Sequence, residues 1–149
     1  MWNLDKHALM LYNSVGYVTD CIHSIASESF ITTSENATIE LWNNNKNKPI
    51  FTLPNAHSAD FICSVAGIKG TDLLASGSTD SLVNIYKVNE ETIEIIDKML
   101  LPGSINGMKF ADKGEILVCA QSVDQRLGRW QTRTTVPIGI SIIRNELIH

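Results

Sequence analysis

An all-β chain built from four-stranded blades of a β-propeller is the fold the sequence predicts, on three observations. A nine-residue block recurs at positions 34, 78 and 122, a period of 44, and an apolar, strand-like run precedes each copy. The third observation is that no apolar run approaches the roughly 18 residues of a membrane-spanning helix. With 149 residues, 44% hydrophobic and 19% charged, at a net charge of −4, the composition is that of a packed chain rather than a disordered one.

Residues 1–15 hold two short apolar runs, Met1–Leu4 and Ala8–Tyr12, expected to be the outer strands of a preceding blade, with Trp2 lying 40 residues before Trp42. The first blade is expected over 16–55. It runs from Asp20–His23 through Phe30-Ile31 and the block Ser34-Glu35-Asn36-Ala37-Thr38-Ile39-Glu40-Leu41-Trp42, and ends in Pro49–Leu53. A second blade over 56–100 repeats this with Ile62–Ala66, Leu73–Ala75, Ser78-Thr79-Asp80-Ser81-Leu82-Val83-Asn84-Ile85-Tyr86 and Ile93–Asp97. The C-terminal blade over 101–149 offers Ile105–Phe110, Ile116–Val118, Ser122-Val123-Asp124-Gln125-Arg126-Leu127-Gly128-Arg129-Trp130, and Ile138–Ile143 as the outer strand.

In each block a Ser and an Asp or Asn open a turn that side-chain to backbone hydrogen bonds hold between the second and third strands. The closing aromatic, Trp42, Tyr86 or Trp130, is expected to fill the gap between neighbouring blades. A period of about 40–45 residues with this turn and this aromatic is the pattern of WD repeats. His57, in Asn55-Ala56-His57, stands where such repeats place a structural histidine, and Asp80 in the turn of the same blade is its expected partner. Propellers close with about four to eight blades. The chain is therefore expected to be a partial propeller, about three and a half blades of a seven-bladed ring. Its missing blades would come from further chain, a partner or a second copy.

Reactive constellations are lacking in the sequence. Gly67–Thr71 is too short for a phosphate loop, no Gly-x-Ser-x-Gly elbow occurs, and the four His are scattered, so no catalytic residue, metal or cofactor is expected. Cys21, Cys63 and Cys119 lie far apart in apolar runs and are expected to be buried free thiols of a reducing compartment, which makes the sequon Asn36-Ala37-Thr38 a chance match.

Charge is uneven along the chain. The last 24 residues hold all four Arg against one acid, Glu146, whereas residues 1–125 hold eight Lys against fifteen acids. A basic end on an acidic body points to a partner surface and excludes a nucleic-acid binder that works by overall charge. Arg126, on the turn side of its strand, is the strongest candidate for RNA contact, with Arg133 in the same patch; Lys46 and Lys48 lie in an Asn-rich loop with two readings open, contact with phosphate or a loop that is simply solvated. Arg129 matches the positions of Leu41 and Ile85, which leaves two readings open: a stem packed in the blade with its head on Asp112 or Asp124, or direct contact with RNA.

The run Gly103–Phe110, then Gly114–Val118, then Arg126-Leu127-Gly128-Arg129-Trp130, resembles the C-terminal blades of the U3 small nucleolar RNA-interacting WD-repeat family, and the likeness spans roughly residues 16–145. The resemblance implies a non-catalytic nuclear, nucleolar scaffold without a membrane. It would bind the box B/C region of U3 RNA together with its core protein and processome proteins, in processing of the 18S rRNA precursor and small-subunit biogenesis. The alternative is a WD-repeat adaptor of another assembly, a ubiquitin ligase or chromatin complex, that binds peptides.

Overall fold

A computed structural model describes residues 2–3, 8–9, 11–14, 19–26, 28–58, 61–124 and 136–144. Thirteen strands run through them in chain order, all paired antiparallel. Strands β1 (Trp2–Asn3) and β2 (Ala8–Leu9) form a two-stranded ladder. The next four, β3 (Thr19–Ser24), β4 (Ser29–Ser34), β5 (Ile39–Asn43) and β6 (Phe51–Leu53), make the first complete sheet in chain order. A second follows with β7 (Ile62–Gly67), β8 (Leu73–Ser78), β9 (Leu82–Val88) and β10 (Ile93–Leu100). The last sheet has three strands, β11 (Ser104–Ala111), β12 (Ile116–Ser122) and β13 (Gly139–Arg144), with a single 3₁₀ turn at Asp112–Gly114 between the first two. No helix among the described residues is long and apolar enough to cross a membrane.

One element departs from the sequence expectation. Ile138–Ile143 was expected as the fourth, outer strand of the C-terminal blade, yet β13 is hydrogen-bonded directly to β12, from Ile116↔Arg144 to Gln121↔Gly139. Its place in the sheet is third. An alternating Ile-rich strand satisfies either neighbour equally well, so its pattern could not fix its place in the ladder. The described residues thus hold two four-stranded sheets, one of three strands and one of two; the block expected as a third strand lies outside them from Gln125 onward.

The turn chemistry operates as its residues dictate. Ser78 Oγ accepts the Asp80 N–H at 3.3 Å and Asp80 Oδ1 accepts the Leu82 N–H at 2.9 Å; 44 residues later Ser122 Oγ accepts the Asp124 N–H at 3.0 Å. One step past each acidic or amide position the backbone turns left-handed, at Ala37 (φ 60°) and Ser81 (φ 70°). Each innermost strand also carries a bulge at its start, leaving Asp20, Cys63 and Asn106 as the extra residues in β3, β7 and β11.

The hydrophobic core lies between the sheets. One cluster, including Ile31, Leu41, Ile62, Leu74 and Tyr86, joins the first four-stranded sheet to the second. Another, including Val83, Ile85, Ile105, Leu117 and Cys119, joins the second to the third. Burial pushes the Cys119 thiol up to about 11, which keeps it protonated and unreactive; Cys63 is also buried, whereas Cys21 is only half-buried, short of the full burial expected for it.

Gly77 marks how closely two sheets approach. A Cβ there would stand 2.5 Å from Ile105 Cγ2 and 2.7 Å from Ile105 Cβ, well inside contact distance and against a branched, fully buried side chain. Gly77→Ala is expected to destabilise the chain by about 1–3 kcal/mol, as other overpacked cores do, read as a lower urea midpoint at unchanged slope.

Candidate functional site

The strand directions sort the loops onto two rims. The β4–β5 and β8–β9 connections, the end of β12 and the start of β13 lie on one rim, together with the segments that lead into the innermost strands; the β3–β4, β5–β6, β7–β8, β9–β10 and β11–β12 connections lie on the other.

On the first rim His57 is the centre of a buried polar relay. Its Nδ1 lies 3.0 Å from Asp80 Oδ2 and its Nε2 lies 2.7 Å from Ser76 Oγ, which in turn lies 2.7 Å from the Tyr86 hydroxyl. Burial alone would raise the Asp80 carboxyl, but the His57 hydrogen bond and charge, with the N–H groups of Leu82 and Ser58, outweigh it and hold the group below the usual carboxylate range. An ionised Asp80 accepts only, so Nδ1 donates to it; in the neutral tautomer Nε2 accepts from Ser76, and Ser76 then accepts from Tyr86. Burial pushes the Tyr86 phenol up, consistent with a hydroxyl that donates and stays neutral.

Ser76, His57 and Asp80 share the order of a hydrolytic triad. The likeness ends at access. Ser76 is fully buried, its hydroxyl is held between His57 and Tyr86, and it presents no face to a substrate carbonyl. The relay locks the segment before β7 to β8 and β9.

Trp42 occupies the place of Tyr86 in the first sheet. Its Nε1 donates to Thr32 Oγ1 at 2.9 Å, and Thr32 and Ser14 hydroxyls reach Glu40 Oε2 at 3.3 and 2.8 Å. Its ring stacks on Phe30, with centroids 5.9 Å apart, and meets Tyr12 edge-on. Sequence reasoning singled out His57, Asp80, Ser78, Trp42 and Tyr86 but not Ser76 or Glu40. Ser76 recurs as Thr32 and Ala120 one period away on either side, so the repeat did not flag it. Glu40, fully buried, sits in a block where the neighbouring repeats carry Asn84 and Gly128.

The candidate RNA-contacting residues do not all share this rim. Lys46 and Lys48 are exposed on the opposite one, in the β5–β6 loop, which the Tyr12 hydroxyl and Asn13 N–H anchor through the carbonyls of Asn44 and Asn47. Arg126, Arg129, Trp130 and Arg133 lie outside the described residues. The segment that carries them is flanked on the first rim by Asp124, whose carbonyl accepts from Asn106 Nδ2 at 2.7 Å, and by Val136, which packs beside Gly103. Among the described residues no group of three or more His, Cys, Asp or Glu converges on a metal position.

Comparison with known proteins follows this geometry. Residues 47–87 match the WD domain, G-beta repeat family. Human U3 small nucleolar RNA-interacting protein 2 is 32% identical over 82% of this chain and 28% of its own length. The Arabidopsis thaliana U3 snoRNP-associated protein-like EMB2271 is 26% identical over 95% of this chain and 33% of its own. The solved WD40 repeats of RRP9 superpose with a TM-score of 0.90 at 27% identity, covering 96% of this chain and 47% of theirs. The structure of U3-55K gives a TM-score of 0.89 at 29% identity over 97% of this chain and 47% of its own. The chain thus spans about a third of the curated relatives it matches and about half of the solved propellers. Fold, repeat and homology agree: the chain is a partial WD40-repeat β-propeller whose curated homologues are U3 snoRNP-associated proteins.

Proposed function

We propose that the chain is a non-catalytic docking element of a U3 snoRNP, nuclear and nucleolar, that binds U3 RNA at box B/C together with its core protein in maturation of the 18S rRNA precursor. The observation that carries this reading is the likeness over 82% of the chain to a protein named for its interaction with U3 small nucleolar RNA. The buried relay around His57 supports a scaffold, since its polar groups are spent on one another. Arg126, Arg129 and Arg133 are the proposed RNA contacts, and Lys46 and Lys48, exposed in the β5–β6 loop, supply a second, weaker phosphate contact.

The test is binding of a box B/C RNA with its core protein over a range of salt concentrations. Each of Arg126→Ala and Arg133→Ala is expected to weaken binding and to lower the salt slope by about one per lost phosphate contact. Unchanged affinity and slope in both variants would remove the arginine segment from the interface. Binding of peptides with indifference to RNA would point instead to an adaptor of another complex.

A further inference from the structure

We propose that the cleft between the second and third sheets, on the rim away from His57, is a docking site for an acidic, apolar peptide segment of a protein partner. The cleft has a volume of about 470 Å³, within the size of a ligand pocket. Ile68, Leu73, Tyr86 and Ile96 are its apolar lining, and Lys87, Lys113 and Asp72 are the charged residues that line it.

Two local irregularities bring side chains to it. In the β9–β10 ladder Ile95 pairs with Tyr86 and Asp97 with Ile85, so Ile96 is the extra residue of a bulge and lines the cleft while remaining 45% exposed. Across the cleft Lys113 adopts left-handed backbone (φ 55°, ψ 20°), followed by Gly114 at φ 102°, in the turn that joins β11 to β12. Left-handed backbone is strained for a lysine, whose Cβ crowds the carbonyl oxygen that follows. The strained turn and the bulge face the same space.

The charges define the occupant. Lys87 is engaged by Asp72 at 3.7 Å, whereas Lys113 has no ion pair among the described residues. An apolar pocket edged by an ammonium that has no ion pair among the described residues suits a Leu, Ile or Met side chain flanked by Asp or Glu. RNA fits less well, because Tyr86 is fully buried and offers no ring face on which a base would stack.

Selection from a displayed library of random peptides with the full chain tests the site. Enriched peptides are expected to place a carboxylate next to a large apolar residue, and to lose about tenfold or more in affinity with Lys113→Glu or Ile96→Ser, as loss of a complementary charge or of an apolar anchor does. Both positions are solvent-facing, so thermal midpoints should match the parent and a loss of binding is not a loss of fold. The proposal is overturned if nothing is enriched, if enriched peptides bind both variants as tightly as the parent, or if Lys113→Glu abolishes U3 RNA binding instead. Failure of the arginine variants to affect RNA leaves this result untouched, because the peptide selection contains no RNA and neither arginine lines the cleft.

Discussion

Trp42→Ala is expected to lower stability by about 3–5 kcal/mol, the cost of emptying a large buried aromatic site. Trp42 is 1% exposed, stacked on Phe30 and met by Tyr12, and its indole N–H is tied to Thr32. Removing it opens a void and also leaves the Thr32 hydroxyl without its donor beside the fully buried Glu40 carboxylate. A domain is stable by only about 5–15 kcal/mol, so the loss is a large share of the total. Urea unfolding followed by far-ultraviolet circular dichroism checks it. A shift below 1 kcal/mol would mean that the seam with residues 11–14 contributes little to the folded state. Trp42→Phe keeps the stack and should recover most of the loss.

His57→Ala is expected to cost about 3 kcal/mol or more, the scale for breaking a buried hydrogen-bonded pair. The loss removes one buried partner from Asp80 and one from Ser76 at once, since both hydrogen bonds end on the imidazole. It should appear as lost stability with U3 RNA affinity per folded molecule unchanged; a selective loss of RNA binding in a fully stable variant would refute the structural assignment. The same relay predicts a pH dependence. Asp80 is held below its ordinary value in the folded chain, so the unfolded chain takes up its proton first as acid is added. The stabilisation from this carboxylate is complete above the unfolded Asp range near pH 3.9 and is lost as pH falls through the lowered folded value. Asp80→Asn should remove that part of the acid dependence and flatten the lower limb of the stability profile.

Much of this architecture was legible because its signals are local. Ser78, Asp80, Ser122 and Asp124 bond to backbone within two residues, so their spacing in sequence is their spacing in the turn. The pairing of His57 with Asp80 spans 23 residues, and it was accessible only because the WD pattern reserves a place for each. The hidden features were those in which one repeat differs from the next. Position 76 is Ser between Thr32 and Ala120, and position 57 is His between Asn13 and Leu101, so the complete relay belongs to the second sheet alone among the described residues. The place of β13 was illegible for another reason. Ile140 and Ile142 are 72% and 67% exposed while Ile143 packs inward, an alternation that any strand with one wet face shows whichever neighbour it pairs with.

The position of the core has a consequence for how such a chain grows. The coding unit is the 44-residue period, which specifies one sheet, but each hydrophobic cluster draws its residues from one period and from the next. Sequence unit and energetic unit are therefore out of phase. Duplicating one period keeps both existing interfaces and adds a single new seam, where the trailing face of one copy meets the leading face of the other. Excising part of a period brings together two faces that were never selected to meet. Change in such a chain is tolerated in whole numbers of repeats and resisted in fractions of one.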